Sequence, residues 1–278
     1  MASVRGLGPA DHRAAGELFT AVYPLRANEV GGWTDAGRYV AIDADRVIAY
    51  AALWPFQSDG HRMDLVVAPD QRRRGAGSRL LELLAGAARA AGSITLQARV
   101  DDTWRESLAF LGNRGFAETM LMHRQVLDVA DATLEPFDHI ENTLRTSGIV
   151  IKPLPADSLA EFGDVMRAAA EGWPDPDPRP VREPLTDAEL EPRTPDCFVA
   201  VHGDRYVGFT GPFAGTGVRP EYRGRGIATA LKVRAVRLAR SRGVVAMATS
   251  SGNPAMLSVN ERLGFRRTTT EVRLVRRL

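Results

Sequence analysis

Two stretches of this chain, VAPDQRRRGAGSRLL (67–81) and VRPEYRGRGIATALK (218–232), decide the fold. Each crowds arginine and glycine into a turn that follows an apolar run and opens an amphipathic helix. Residues 67–92 and 218–243 align without a gap at a constant offset of 151, with identity at nine of 26 positions. The shared residues include Val67/Val218, Pro69/Pro220, Arg72/Arg223, Arg74/Arg225, Gly75/Gly226 and Gly92/Gly243. A repeat this long is far beyond a solenoid period and reads as two domains of one kind.

The flanks agree. RYVAIDADRVIAYAAL (38–53) is two alternating apolar runs broken at Asp43–Asp45, a hairpin signal. MDLVVAP leads into the first Arg/Gly turn; Leu80, Leu81, Leu84 and Ala88 then give a helical stripe that Gly92 ends. SITLQARV is the next strand, and FLGNRGF (110–116) a helix end. The second half repeats the order with CFVAVHGDRYVGFTG, AGTGV, a helix over 228–242, VVAMAT and NERLGF (260–265). Each half opens with a strand and a helix. The expected domains are 1–128 and 148–278, with 129–147 as a partly helical linker. The segment 171–196 carries seven prolines and reads as a loop on the second domain.

Composition bounds the function. With 278 residues, 44% hydrophobic and 25% charged, the chain is globular. No apolar run approaches the roughly 20 residues that cross a bilayer, and MASVRGLGPADHR lacks a signal-peptide core, so a cytoplasmic protein without a membrane partner is expected. The single cysteine, Cys197, excludes an internal disulfide and a thiolate zinc site; no metal is expected. A net charge of +2 argues against nucleic acid as a partner. Lys152 and Lys232 are the only lysines, so arginine supplies the other 34 (36 − 2) basic residues.

A strand feeding a glycine-bearing turn and a helix start aims free backbone N–H groups at one point, a site for phosphate. Glycine lets the backbone approach the anion, and arginine adds forked donors. Neither copy has the G-x-x-x-x-G-K-[ST] of a P-loop, and no G-x-G-x-x-G opens a dinucleotide fold.

Arg72-Arg73-Arg74-Gly75-Ala76-Gly77 and Arg223-Gly224-Arg225-Gly226-Ile227-Ala228 both fit [QR]-x-x-G-x-[GA]. Each follows a V-x-P and precedes a G-F, at Gly115-Phe116 and Gly264-Phe265. In this the chain resembles the GNAT superfamily of N-acyltransferases, in a tandem layout similar to the mycothiol synthase group. The resemblance implies an α+β fold: two tandem domains, each a mixed, mostly antiparallel sheet flanked by helices and splayed between its fourth and fifth strands. It implies acetyl-CoA as donor, its pyrophosphate on those two loops, and a backbone N–H at Val67 or Val218 steadying the oxyanion.

The family's general base falls eleven residues before the loop's first arginine, at His61 in the first unit and Pro212 in the second. His61 follows Asp59-Gly60 in an apparent turn, where it is either a base or a solvated histidine. The family's proton-donating tyrosine falls at Leu111 and Asn260; Asn260 is thus the candidate catalytic position, although an amide is no proton source. Asn253 either contacts the cofactor or caps its helix. Without a strong base the acceptor needs a low pKa. A lysine-type amine near 10.4 is about one part in a thousand neutral near pH 7.5, a cost of roughly 4 kcal/mol, whereas an α-amine near 8 is substantially neutral. The expected reaction is therefore transfer of an acetyl group from acetyl-CoA to a small-molecule amine. The alternative is a coenzyme A-binding regulatory or scaffold protein without turnover. The fuller motif and the acids and aromatic of the proline-rich loop (Glu171, Trp173, Asp175, Asp177) favour the second unit for catalysis, with the choice left open.

Overall fold

The computed structural model describes residues 2–23, 37–56, 60–155, 157–171, 196–211 and 215–278. The chain divides into two compact units, residues 1–119 with 272–278, and residues 120–271.

The first unit begins with β1 (Ser3–Gly6), α1 (His12–Val22), β2 (Arg38–Asp43), β3 (Arg46–Phe56) and β4 (Gly60–Val67). α2 (Ala76–Ala90), β5 (Thr95–Asp101) and α3 (Arg105–Gly112) follow. The start of β6 (Ala117–Asp128) and the end of β12 (Arg266–Arg277) complete it. β1 to β4 pair antiparallel in chain order. The β2–β3 turn has two residues, Ala44 and Asp45, both at positive φ (45° and 64°), the twist that closes a tight hairpin.

β4 and β5 run parallel, and they pair only over Gly60–Arg62 against Thr95–Gln97 before separating. This is the splay expected between the fourth and fifth strands.

Alternation along the strands feeds two cores. Ala49 and Ala51 of β3, with Met63 of β4, face Leu80, Leu81, Leu84 and Ala88 of α2, one stripe of the helix. Tyr50, Ala52 and Val66 face Ala15 and Phe19 of α1 on the other side. The first core also takes Val272 and Leu274 from β12. The sequence boundaries at 128 and 148 therefore differ from the compact units, because the last strand of the chain packs with the first unit.

In the second unit, β7 (Ile149–Pro153), β8 (Phe198–His202), β9 (Arg205–Gly211) and β10 (Gly215–Val218) form a four-stranded antiparallel sheet. β11 (Ala246–Ser251) pairs with β6 instead. The helices are α4 (Asp138–Thr146), α5 (Leu159–Ala170), α6 (Ile227–Ser241) and α7 (Pro254–Arg262). The expected linker is thus structured: α4 is bound to α6 by the ion pairs Glu141–Arg234 and Asp138–Arg237.

One core position separates the copies chemically. Leu81 of α2 is fully buried, and at the matching place in α6 stands Lys232, 9% exposed, with its ammonium 5.1 Å from the Phe265 ring centre. Burial pushes Lys232 down to about 8. Below pH 8 both folded and unfolded chains carry the proton, and the desolvation penalty is complete. Between pH 8 and the unfolded value the folded chain has already lost it, so stability rises with pH. Lys232→Leu should raise stability near pH 7 by roughly 3 kcal/mol and remove that rise. Denaturant titrations of both proteins from pH 7 to 10.5 check this; a less stable variant, or an unchanged pH slope, would contradict it.

Candidate active site

Both Arg/Gly turns fold alike. After Val67, Pro69–Gln71 makes one 3-10 turn, Arg72 is extended, and Gly75 at φ +89° starts α2 as its N-cap. After Val218, Pro220–Tyr222 makes the same turn, Arg223 is extended, and Gly226 at φ +82° starts α6. Arg73 takes the left-handed conformation that Gly224 holds in the second copy (φ +62° and +77°).

Neither N-cap supplies a side-chain acceptor. The first intrahelical bonds come from Arg79 N–H to Gly75 and Ala230 N–H to Gly226. The N–H groups of Ala76, Gly77 and Ser78, and of Ile227, Ala228 and Thr229, are left without an intrahelical acceptor. Such a terminus, with its dipole, suits an anion.

The motif residues do several jobs. Arg72 Nε reaches back to the Val67 carbonyl at 3.4 Å, and Arg223 Nε to that of Val218 at 3.1 Å, so the first arginine shapes the loop in both copies. Arg223 also donates to the carbonyls of Ala169 and Glu171, and Arg225 to that of Glu221. Arg73 pairs with Glu106 at 3.3 Å, while Arg74 is exposed. A Cβ on Gly77 would come within 3.3 Å of Val67 and 3.6 Å of Phe110, so Gly77 lets the helix close on the strand. A Cβ on Gly226 would meet Ile140 at 3.1 Å.

Where β4 and β5 part, a cleft of 1210 Å³ opens in the first unit. Met63, Leu65, Val66 and Val67 line one wall, Ala98 and Val100 the other, and Arg72, Gly75 and Gly77 stand at its phosphate-loop end. Tyr23 and Trp104, with ring centres 5.5 Å apart, also line it.

Backbone direction matters here. Ala68 donates its N–H to Ile48 of β3, so by alternation Val67 turns its N–H away from β3, toward the splay. Arg219 likewise donates to Val207 of β9, turning the Val218 N–H to the open side of β10. These orientations suit the expected oxyanion donors.

His61 does not stand in a turn, because β4 already begins at Gly60. It lies where β4 and β5 are still paired, its Nδ1 bonded to Ser93 Oγ, and the cleft lining starts at Met63. Burial lowers its pKa. The geometry gives His61 a structural partner in Ser93.

Asn253 caps α7, its Oδ1 accepting from the N–H of Ala255 at 2.9 Å and of Met256 at 3.4 Å. Asn260 is fully buried and donates to Gln125 Oε1 at 2.7 Å. Leu111, its counterpart, lines the first cleft. Pro212, Trp173, Asp175 and Asp177 lie outside the described residues.

The Cys197 thiol is buried and pushed up to about 11 by burial and the Asp196 charge, so it is unreactive. Among the described residues no group of His, Cys, Asp and Glu could hold a metal ion, and no helix is long and apolar enough to cross a membrane.

Sequence reasoning overlooked Arg38 and Asp64, which are 5% and 7% exposed on β2 and β4, the two strands that flank β3. The available signal was Asp64 itself, a charge inside the apolar run MDLVV.

The splayed sheet of the first unit opens onto an uncapped helix start, and the second unit repeats that helix start after its own antiparallel sheet; together they define an acyltransferase scaffold. The Acetyltransferase (GNAT) family matches residues 13–116 and 162–265, and the chain belongs to it. It is 28% identical over 262 residues to the mycothiol acetyltransferase of Rhodococcus erythropolis, covering 86% of this chain and 84% of that one. Its fold is similar to a GCN5-related N-acetyltransferase from Sphaerobacter thermophilus (TM-score 0.76, 19% identity, 99% and 95% of the two chains). It is also similar to a tandem GNAT protein from the clavulanic acid biosynthesis pathway (TM-score 0.66, 19% identity, 100% and 98%).

The geometry separates capping from binding at Asn253. Asn253→Ala should cost about 1 kcal/mol of stability in denaturant titration. Asn253→Asp should keep most of it, and acetyl-CoA affinity should stay unchanged in both. A loss of affinity without a loss of stability would return Asn253 to the cofactor.

Proposed function

We propose that this protein is an acyl-CoA-dependent N-acetyltransferase that moves an acetyl group from acetyl-CoA to a small-molecule amine. The observation that carries the reading is the first cleft, which joins parted strands to an uncapped helix N-terminus. The residues fit the donor: the N–H groups of Ala76, Gly77 and Ser78 would hold its pyrophosphate, with Arg74 as the exposed cation beside them. The second loop, Arg223 to Ala228, offers the same helix start and is proposed as a second coenzyme A site.

When bound, acetyl-CoA supplies an activated carbonyl with a thiolate leaving group. Val67 N–H faces the splay and would steady the oxyanion of the tetrahedral intermediate. The walls from Met63 to Val67 and from Ala98 to Val100 would exclude water and align the carbonyl. A thiol of pKa about 8.5 leaves as thiolate without a strong acid, which fits Leu111 in place of a tyrosine.

The test is thiol release from acetyl-CoA with a panel of amines, beside calorimetry with acetyl-CoA. Gly75→Glu places a carboxylate at the anion site, and a Cβ there meets no neighbour within 4 Å. Its cost to the fold is about 1–2 kcal/mol of left-handed strain. It should weaken acetyl-CoA binding and turnover by about 100-fold, the worth of a charge-assisted contact or two. Gly224→Glu reports on the second loop in the same way, because a Cβ at Gly224 meets no neighbour within 4 Å, whereas one at Gly226 would crowd Ile140. Binding without thiol release for any amine would favour a coenzyme A-binding regulator. Unchanged turnover in Gly75→Glu would remove the first cleft from the reaction.

A further inference from the structure

Two aromatic rings stand in the wall of the first unit's cleft. Tyr23 closes α1 and Trp104 precedes α3; both are half-buried and both line the cleft. Their ring centres lie 5.5 Å apart, with the planes tilted by 50°. Tyr23 also ends a row of rings, with Phe19 5.1 Å away and Tyr50 5.8 Å beyond it, so the wall is braced from the core. α1 and α2 cover opposite faces of the sheet, which puts Tyr23 on the face away from the phosphate-loop helix. Trp104 packs against the core on the α2 side and meets Tyr23 as well. The pair thus joins the segment after β5 to the helix that covers β3 and β4. A donor held at the start of α2 reaches the parted strands from one face, and Tyr23 approaches them from the other.

The helix after β5 is not what calls for a tryptophan. Counting from the matched G-F pairs puts Asn253 in the place of Trp104, and both are N-caps. Asn253 accepts from two helix N–H groups, whereas Trp104 makes no side-chain cap bond. Tryptophan at this position forgoes about 1 kcal/mol of capping. What it supplies instead is a ring on the cleft wall. The charges of that wall narrow what the ring can meet. Among the described lining residues Arg72, Arg73, Arg99, Arg105 and Arg114 are cations, and Glu106 is the only acid. Glu106 already pairs with Arg73 at 3.3 Å. A wall of this sign disfavours an ammonium and favours a neutral amine.

We propose that the acyl acceptor of the first unit is an aromatic amine, with its nitrogen on the ring and the ring packed against Tyr23 and Trp104. The inference rests on the acyltransferase reading above and narrows its amine to one chemical class. An arylamine shares its lone pair with its ring and is neutral at pH 7. It therefore needs no base before it attacks and no carboxylate to hold it, which fits a cleft whose one acid is paired. Two tilted rings offer it offset and edge-to-face contacts. In the step, the nitrogen lone pair bonds to the acetyl carbonyl carbon, the carbon–sulfur bond breaks, and the nitrogen's proton passes to the departing thiolate. The products are the N-aryl acetamide and the free thiol of coenzyme A.

The test uses the full chain, acetyl-CoA and three primary amines: aniline, benzylamine and an O-alkyl hydroxylamine. Benzylamine keeps the ring but carries a protonated nitrogen. The hydroxylamine is neutral like aniline, has no ring, and is intrinsically the more reactive nucleophile. It is therefore the faster acceptor if the ring is not read. The expected result at pH 7 is a higher kcat/KM for aniline than for either of the others. Trp104→Ala should lower the ratio of aniline to hydroxylamine rates by about 10-fold, the worth of a lost ring contact and its buried area. Trp104→Phe should restore most of that ratio, and acetyl-CoA affinity should stay unchanged in both variants. Calorimetry of aniline against the hydroxylamine on the wild-type protein with coenzyme A, where aniline should bind more tightly, decides the matter even where a variant fails to fold. A wild-type protein that acetylates the hydroxylamine or benzylamine as fast as aniline would overturn this inference and leave the acetyltransferase standing, as would an unchanged ratio in Trp104→Ala. Failure of the wild-type protein to bind acetyl-CoA would overturn both.

Discussion

The structure of the first unit turns on a parallel strand pair that stops after three residues. β4 and β5 share backbone bonds only from Gly60 to Arg62 and from Thr95 to Gln97, then diverge. A strand edge freed this way must satisfy its N–H and C=O groups with something else, because buried and unpaired backbone is expensive. Here the freed edge faces a cleft, and the strand that owns it runs straight into a helix start whose N–H groups are also uncommitted. Two sets of unused donors thus point into one space, and glycine at +89° lets the chain bend without a side chain in the way.

Much of this was legible in the sequence because it is local. V-x-P, the Arg/Gly turn and the helix stop at Gly92 or Gly243 each depend on residues a few positions apart, and two copies in register made the signal strong. The exchange of the last strand was not legible. β6 and β12 alternate in the same way, and strand partners follow from which edge is open rather than from local pattern. His61 was misread for a local reason, since Asp59-Gly60 signals a turn while the strand starts at Gly60. Arg38 and Asp64 escaped because they meet through β3, across strand pairings that spacing does not reveal.

The two copies show which features the fold requires and which it merely tolerates. The uncapped helix start and the back-bonded first arginine occur in both, and Leu80 and Leu231 hold the same buried place. The differences are polar. Lys232, Asn260 and Gln125 stand in the second unit where Leu81, Leu111 and Leu274 stand in the first, counting from the matched loops and the matched G-F pairs. Such residues weaken a core unless something else selects them, which makes the divergent positions the informative ones.

The most direct measurement of the central claim is a crystal structure of the chain with coenzyme A. The account predicts pyrophosphate oxygens about 3 Å from the N–H groups of Ala76, Gly77 and Ser78, with the pantetheine arm lying between β4 and β5. Coenzyme A bound elsewhere on the first unit, with that helix start bare and the splay closed, would contradict it.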